Sequence, residues 1–260
     1  MPLVSYRPLA RFPKVIGIAF SGVLQADSAS DTTSSLSLSH TFNNRSSHMA
    51  LEPMDVKNII VWLLKLAVAA LYYLASGGKD LWTALLAAEL LEGTLTGIWA
   101  WIGHKFVSDH VARSIGWPTG HRFQNEIAWM NAGIAVVMAH GLIIGMLSGS
   151  EIRWDAVAAA VLTQGTIYLG CAETHFIAIH EDNNWCVSNA GFMLLMVDDI
   201  GSVLLKSTLL LASAYGVLDP TQLYANVILL AAALWFTYRY FTEVWPNREK
   251  VYVPEPWKGD

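Results

Sequence analysis

The stretch LWTALLAAELLEGTLTGIWAWI, residues 81–102, decides the fold of this chain. It is long enough to cross the hydrocarbon core of a bilayer as a helix, which takes about 20 apolar residues. It is rich in Leu and Ala and lacks the period-two alternation of a β-strand. Glu89, Glu92 and Thr96 follow one another at helical spacing and form one polar stripe. The stretch therefore predicts a membrane helix whose polar stripe faces other protein.

Five further apolar segments, before and after this one, have a comparable length. The six predicted spans cover residues 59–75, 81–102, 127–147, 156–179, 190–211 and 224–241. A soluble helical bundle is the alternative, but it needs charged outer faces, which the third and sixth segments almost lack. We therefore predict an all-α membrane protein, with a four-helix transmembrane core of spans two to five and two flanking transmembrane helices.

The composition excludes several other classes of protein. Of the 260 residues, 14% are charged and 54% are apolar, whereas soluble domains average about 25% charged residues. The net charge of −5 argues against nucleic acid as a partner, and two cysteines cannot form a disulfide scaffold. The predicted partner is the lipid bilayer, with a small apolar or lipid-like ligand as a candidate.

The N-terminal region differs in composition from the rest. Three basic residues precede the apolar run 15–24, as in a secretory signal peptide or an organelle transit peptide. The alternative is an over-extended start, with translation beginning at Met49 or Met54. Residues 25–47 are rich in Ser, Thr and Asn, which is typical of disorder. The predicted domains are a disordered or targeting tail at 1–53, a transmembrane helical domain at 54–245 and a cytoplasmic tail at 246–260.

The distribution of Lys and Arg predicts the orientation. With the N-terminus in the cytoplasm, the inside segments hold Lys57, Lys105, Arg113, Arg122, Arg239, Arg248 and Lys250, and the outside loops hold only Lys79 and Arg153. By the positive-inside rule this favours both termini in the cytoplasm. It conflicts with a cleaved signal peptide, which would place the new N-terminus outside.

The polar residues inside the spans are the functional clue. A charged side chain at the centre of a membrane helix costs roughly 2.5–3.5 kcal/mol on insertion scales. With the predicted orientation, side chains from four helices reach compatible depths in the cytoplasmic half of the bilayer. The candidate catalytic residues are Glu92, Glu126, His175 and Asp198, and the candidate metal ligands are His104, Glu126, His175 and Asp198. We predict one inward-facing pocket of carboxylates and imidazoles, with the Gly-Trp-Pro loop at 116–120 lying over it.

Three functions are compatible with such a pocket. The polar groups could be structural, bonding helices together in a subunit without its own activity. They could form the site of a membrane-embedded enzyme that acts on a lipid-like substrate, with or without a divalent metal. They could bind protons in a proton-coupled transporter or channel. The sequence contains neither His-x-x-x-His nor Glu-x-x-His, so it specifies no metal and no cofactor.

Single residues carry further predictions. Lys65 and Lys206 are expected to extend toward the membrane surface, with pairing to a carboxylate as the alternative for Lys206. His180 is expected to be a solvated loop residue. Two Gly-xxx-Gly spacings, at 93–97 and 141–145, predict close contact between helices of this chain.

Several short motifs carry a resemblance to a known family. They are Ile102-Gly103-His104, Ser114-Ile115-Gly116-Trp117-Pro118, Phe123-Gln124-Asn125-Glu126, His175, Asn189-Ala190-Gly191 and Asp198-Asp199-Ile200. Over roughly residues 82–211 the chain resembles an uncharacterised family of small, mostly prokaryotic integral membrane proteins with about four predicted helices. The resemblance implies a four-helix membrane core and no activity. Relative to that family, the chain adds spans one and six and doubles the aspartate.

Overall fold

The computed structural model describes residues 53–78, 80–120, 122–149 and 151–252. Within this part of the chain the secondary structure is helical, apart from one isolated β-bridge between Cys186 and Tyr252. The all-α class is therefore confirmed for the described residues. Of the predicted tail at 1–53, all but its last residue lies outside them, so the alternatives for its role stay predictions.

The helices follow one another with short connections. They are α1 Pro53–Ala75, α2 Leu81–Phe106, α3 Ser108–Ser114, α4 Phe123–His140, α5 Trp154–His180, α6 Val187–Ala190, α7 Ser202–Ala214 and α8 Pro220–Arg239. Three π-helical segments adjoin them: Gly141–Leu147 after α4, Phe192–Gly201 before α7 and Tyr240–Val244 after α8. A 3₁₀-helix, Trp245–Lys250, ends the series.

Three of the described helical stretches are long and apolar enough to cross a membrane. They are Leu81–Phe106, Phe123–Leu147 and Pro220–Lys250, and Ile60–Ala75 is a shorter apolar helix. The prediction of six spans is thus supported only in part. The stretch Phe192–Ala214 carries three charged residues, Asp198, Asp199 and Lys206, and α5 carries polar residues such as Gln164 and Glu173, which lower its mean hydropathy.

Local sequence signals set the helix ends. The Asp80 carboxylate accepts a hydrogen bond from the Thr83 amide at 3.0 Å and caps α2. Asp219 caps α8 by accepting from the Thr221 amide at 2.8 Å, and Pro220 occupies the first helical position, where its missing N–H costs nothing. We call the end of the bundle that holds the connections 76–80, 148–153 and 215–219 the turn end. The opposite end, which holds 107–122 and 181–191, is the loop end.

Glycines allow the central helices to approach closely. A Cβ placed on Gly97 of α2 would lie 2.9 Å from the backbone nitrogen of Ala135 in α4. A Cβ on Gly141 or Gly145 would come equally close to side chains of α5. On Gly93 it would meet side chains of α4 and α5. Both Gly-xxx-Gly spacings therefore lie at helix contacts within the chain, which confirms that prediction.

Candidate functional site

Two lysines and two glutamates from three helices form a cluster in the bundle, which we call the Lys–Glu quartet. The Lys65 Nζ atom on α1 lies 2.7 Å from Glu89 Oε1 on α2. The Lys206 Nζ atom on α7 lies 2.8 Å from Glu92 Oε2 and 3.6 Å from Glu89 Oε2. The Lys206 side chain is 3% exposed and that of Glu89 is 9% exposed. The four charges cancel, so the polar stripe of α2 is neutralised within the protein.

Hydroxyl groups complete the bonding of the quartet. Lys206 donates to Ser202 Oγ at 2.5 Å, one turn back on the same helix. The Thr96 hydroxyl donates to Glu92 Oε1 at 2.9 Å. Buried ion pairs are sustained only when such additional hydrogen bonds satisfy the remaining polar atoms. The expected extension of Lys65 toward the membrane surface is wrong, because it pairs with Glu89. For Lys206 the alternative of pairing with a carboxylate is confirmed.

A second polar cluster, the histidine site, consists of His175, Asn189 and Asp199. The Nδ1 atom of His175 on α5 lies 2.8 Å from Asn189 Oδ1 on α6. Its other ring nitrogen, Nε2, lies 3.5 Å from Asp199 Oδ2 in the π-helical segment before α7. The side chains of His175 and Asp199 are each 17% exposed. One imidazole therefore lies between an amide and a carboxyl group from two different segments.

The Gly-Trp-Pro loop supports the histidine site through its backbone. The Asn189 amide nitrogen donates to the Ile115 carbonyl at 3.3 Å and approaches the Asn184 carbonyl at 3.5 Å. The Asn184 amide donates to the carbonyls of Ile115 and Gly116 at 3.2 and 3.3 Å. Gly116 has a φ of +73°, and a Cβ there would lie 2.8 Å from Asn184 Nδ2. The loop is thus fastened to the segment that presents Asn189.

The end of the described chain adds one more layer at the loop end. The Val187 amide donates to the Tyr252 carbonyl at 2.8 Å, and the Tyr252 amide donates to the Trp185 carbonyl at 3.1 Å. The ammonium group of Lys250 lies 5.1 Å from the centre of the Trp185 ring, a cation–π distance. Residues 250–252 thereby hold the segment that leads into α6.

Tyr168 of α5 interacts with one carboxyl group of each cluster. It is within electrostatic range of both Glu92 in the quartet and Asp199 in the histidine site. Gln164, one turn earlier on α5, is 1% exposed, and its amide would be 2.8 Å from a Cβ on Gly93. Polar side chains therefore continue from one cluster toward the other through the interior of the bundle.

The predicted pocket residues do not all meet. The structure places Glu92 in the quartet and His175 in the histidine site, while Glu126 and Asp198 have exposed side chains. The Nδ1 atom of His104 lies 2.6 Å from Gln124 Oε1, at the contact between α2 and α4. The carboxyl group that faces His175 is that of Asp199, the neighbour of the predicted residue. The catalytic roles assigned to these residues stay predictions.

Sequence reasoning missed two residues of the histidine site, although both stood in motifs that it noted. Asn189 begins the Asn-Ala-Gly motif, and Asp199 is the second member of the doubled aspartate. Asn189 lies in the four-residue helix α6, and Asp199 lies in the π-helical segment Phe192–Gly201. Neither segment offers the several regular α-helical turns from which a facing partner can be read.

Two further sequence predictions concern metal ligands and His180. Across 53–78, 80–120, 122–149 and 151–252, no group of three or more His, Cys, Asp or Glu side chains is arranged to hold a metal ion. His180 ends α5 as a partly exposed residue, and its Nε2 atom lies 2.9 Å from Glu243 Oε2. It is solvent-exposed as expected, but it ends a helix and pairs with Glu243 instead of lying in a loop.

Comparison with known proteins gives a family. The model of DUF6790, described as a family of unknown function, matches residues 56–216, which is more than half of the chain. The matched range includes α1, which the resemblance noted above left outside, and it contains both polar clusters. No curated protein and no solved structure matches the chain significantly. This chain belongs to the DUF6790 family.

Proposed function

We propose that this protein is a proton-translocating membrane protein, with Asp199, His175 and Glu92 as its proton-binding groups. The observation that carries the proposal is the His175 imidazole, whose Nε2 atom lies 3.5 Å from Asp199 Oδ2. Tyr168 interacts electrostatically with Asp199 and with Glu92 of the quartet. Chains of Asp, Glu and His inside membrane proteins can relay protons. A tyrosine hydroxyl both donates and accepts hydrogen bonds, so it can pass a proton between groups on either side of it.

The depths of the two clusters support a path along the bundle axis. Glu89 lies 8 residues into α2, about 12 Å from its turn end at a rise of about 1.5 Å per residue. His175 lies 5 residues before the end of α5, about 8 Å from the loop end. The clusters therefore occupy different depths. The proposal includes α5 and the stretch Phe192–Ala214 as membrane-crossing elements, which makes six spans.

Energetics favour an active role for the clusters over a purely structural one. Interhelical hydrogen bonds in membranes return about 0.6 kcal/mol on average, whereas each charged group costs roughly 2.5–3.5 kcal/mol to insert. The π-helical segment that carries Asp199 supports the same view, since π-helical turns occur frequently at functional sites. The hypothesis of a lipid-modifying enzyme required a pocket that joined Glu126 and Asp198 to His175. Both carboxylates are exposed, so we develop proton translocation instead.

Proton flux into proteoliposomes tests the proposal. Purified protein is reconstituted with an internal pH-sensitive dye, and a potassium diffusion potential is applied with valinomycin. We expect wild-type protein to give proton flux above that of protein-free liposomes. Asp199→Asn is expected to reduce this flux at least about tenfold, because it removes one group that transfers protons.

The neighbouring aspartate provides a matched control. Asp198→Asn changes the same kind of group one residue away, on an exposed side chain, and is expected to keep the wild-type flux. Each variant is first checked for folding by size-exclusion chromatography and thermal unfolding. The proposal is wrong if wild-type liposomes conduct no more protons than protein-free ones. It is equally wrong if folded Asp199→Asn conducts like wild type.

A further inference from the structure

The amide of Asn189 has only one orientation that satisfies its surroundings. On one side of the amide lie two backbone carbonyls, those of Ile115 at 3.3 Å and Asn184 at 3.5 Å. Carbonyl oxygens accept hydrogen bonds and cannot donate them, so the NH₂ group must face them. The Asn189 side chain is fully buried, and a flipped amide would place its oxygen against two other oxygens. The Oδ1 atom is therefore held toward His175.

This orientation determines which nitrogen of His175 carries a proton. Asn189 Oδ1 lies 2.8 Å from His175 Nδ1 and can only accept a hydrogen bond. The Nδ1 atom must then donate, so it is protonated in both the neutral and the charged imidazole. In the neutral ring the Nε2 atom carries a lone pair, and this atom faces Asp199 Oδ2 at 3.5 Å.

We propose that Asn189 is a positioning residue that fixes the Nδ1–H tautomer of His175, so that His175 and Asp199 hold one exchangeable proton between them. A lone pair on Nε2 and an ionised carboxylate would repel each other at this distance. One proton removes the repulsion, whether it resides on Nε2 or on Oδ2. Only the identification of this pair as the proton-binding site rests on the proposed function; the tautomer follows from the hydrogen bonds.

Three further titratable side chains surround the pair. Tyr168 and Cys171 of α5 interact electrostatically with Asp199, and Asp198 is its neighbour in the chain. The Ile115 carbonyl belongs to the loop next to Gly116, so the same loop that covers the loop end also sets the tautomer through Asn189.

Nitrogen NMR of the protein in lipid bilayers tests the tautomer directly. The protein is labelled with ¹⁵N-histidine, and the His175 signals are identified by their loss in His175→Gln. We expect a protonated Nδ1 in wild type at every pH in which the protein is folded. In Asn189→Ala we expect this single state to be lost and an Nε2–H tautomer to appear.

Asn184→Ala separates the effect of the Asn189 amide from a general loosening of the loop. It removes two bonds to the same loop, and those that Asn184 Oδ1 accepts from the Cys186 amide and the Tyr252 hydroxyl. It leaves the contact between Asn189 and His175 in place. We expect it to retain the Nδ1–H tautomer. An Nδ1 atom without a proton in wild type, or an unchanged tautomer in Asn189→Ala, would overturn the inference.

The flux assay distinguishes failure of this inference from failure of the proposed function. If the tautomer depends on Asn189 but wild-type liposomes conduct no protons, the positioning role stands and proton translocation is refuted. If protons flow and Asn189→Ala changes neither tautomer nor flux, the positioning role is refuted alone. When both hold, Asn189→Ala lowers the flux and Asn184→Ala keeps it at the wild-type level.

Discussion

Replacing Lys206 by methionine probes the quartet most directly. The substitution keeps an unbranched apolar side chain but removes one positive charge from a group that is 3% exposed. Among the described residues, Glu92 then has no cation within 4 Å, and Glu89 retains only Lys65. Removing one partner of a buried ion pair destabilises a protein by about 3–5 kcal/mol, because the remaining charge is buried without compensation. For a domain of this size that corresponds to a fall in Tm of about 6–20 °C.

A second substitution shows whether the cost comes from the uncompensated carboxylate. Glu92→Gln combined with Lys206→Met leaves one lysine and one glutamate in the quartet, so its net charge returns to zero. We expect the double variant to be more stable than Lys206→Met alone, with a coupling energy of about 0.5–3 kcal/mol. Lys105→Met is the matched control, since this exposed lysine bonds only to Asn125 and lies over the Trp129 ring. It is expected to change stability by no more than about 0.5–1 kcal/mol.

Thermal unfolding in lipid nanodiscs, followed by intrinsic tryptophan fluorescence, measures wild type, Lys206→Met, Glu92→Gln, the double variant and Lys105→Met under the same conditions. The structural role of the Lys206 charge is refuted if Lys206→Met lowers the Tm no more than Lys105→Met does. It also fails if the double variant loses the full sum of the two single losses, because independent costs would mean that the charges do not interact. A rise in Tm for Lys206→Met would be the strongest refutation.

The contacts of two other buried positions give predictions for the same unfolding assay. Gly97→Ala would bring a Cβ to 2.9 Å from the Asn131 carbonyl oxygen and should lower the free energy of unfolding by about 1–3 kcal/mol. Gly133→Ala has open space around it and should cause no loss of stability. Equal Tm values for the two variants would refute the close contact of α2 and α4. Asn226→Asp replaces the amide that donates to the Ser207 carbonyl at 3.0 Å by a carboxyl group and should cost at least about 1–3 kcal/mol; an unchanged Tm would show that this bond contributes nothing.

The elements that the sequence predicts well are those that depend on local pattern. The apolar length of residues 81–102 and the stripe of Glu89, Glu92 and Thr96 are enough to predict α2 and its buried polar face. The structure ends α2 at Phe106, because His104 and Lys105 continue the helix beyond the apolar run. Four of the six predicted spans correspond to the apolar helices named above, one of them short. Spans four and five are the two whose internal polar residues make hydropathy a weak guide.

The choice between Asp198 and Asp199 shows where pattern reasoning fails. The prediction places Asp198 in the pocket by its depth along span five, but neighbouring residues of an α-helix differ in depth by only about 1.5 Å while their side chains are turned by about 100°. The structure winds Phe192–Gly201 as a π-helix, whose hydrogen bonds run from i to i+5 and whose turn is wider. Side chains of that segment therefore point in directions that α-helical spacing does not give. Nothing in the one-dimensional pattern signals the wider turn.

The partners of the histidine site could not be predicted for a different reason. Asn189 is held by the Ile115 carbonyl, which lies 74 residues earlier in the chain. A backbone carbonyl has the same chemistry at every position, so no residue type marks it as a partner. The Asn-Ala-Gly motif indicated that the segment mattered, but the geometry of the loop end was needed to show what the asparagine does.

The two clusters differ in charge balance, so substitutions in them should affect stability and proton flux differently. The quartet is neutral with all four groups ionised, so removing one charge disturbs both its electrostatics and any path that passes through Glu92. The histidine site needs one proton to be free of repulsion, and an asparagine at position 199 removes the need for that proton without burying a new charge. Asp199→Asn should therefore lower the flux with little loss of stability, whereas Glu92→Gln should lower both, because it deprives Lys206 of its partner at 2.8 Å. If Asp199→Asn were the more destabilising of the two, the charge balance assigned to the two clusters would be wrong.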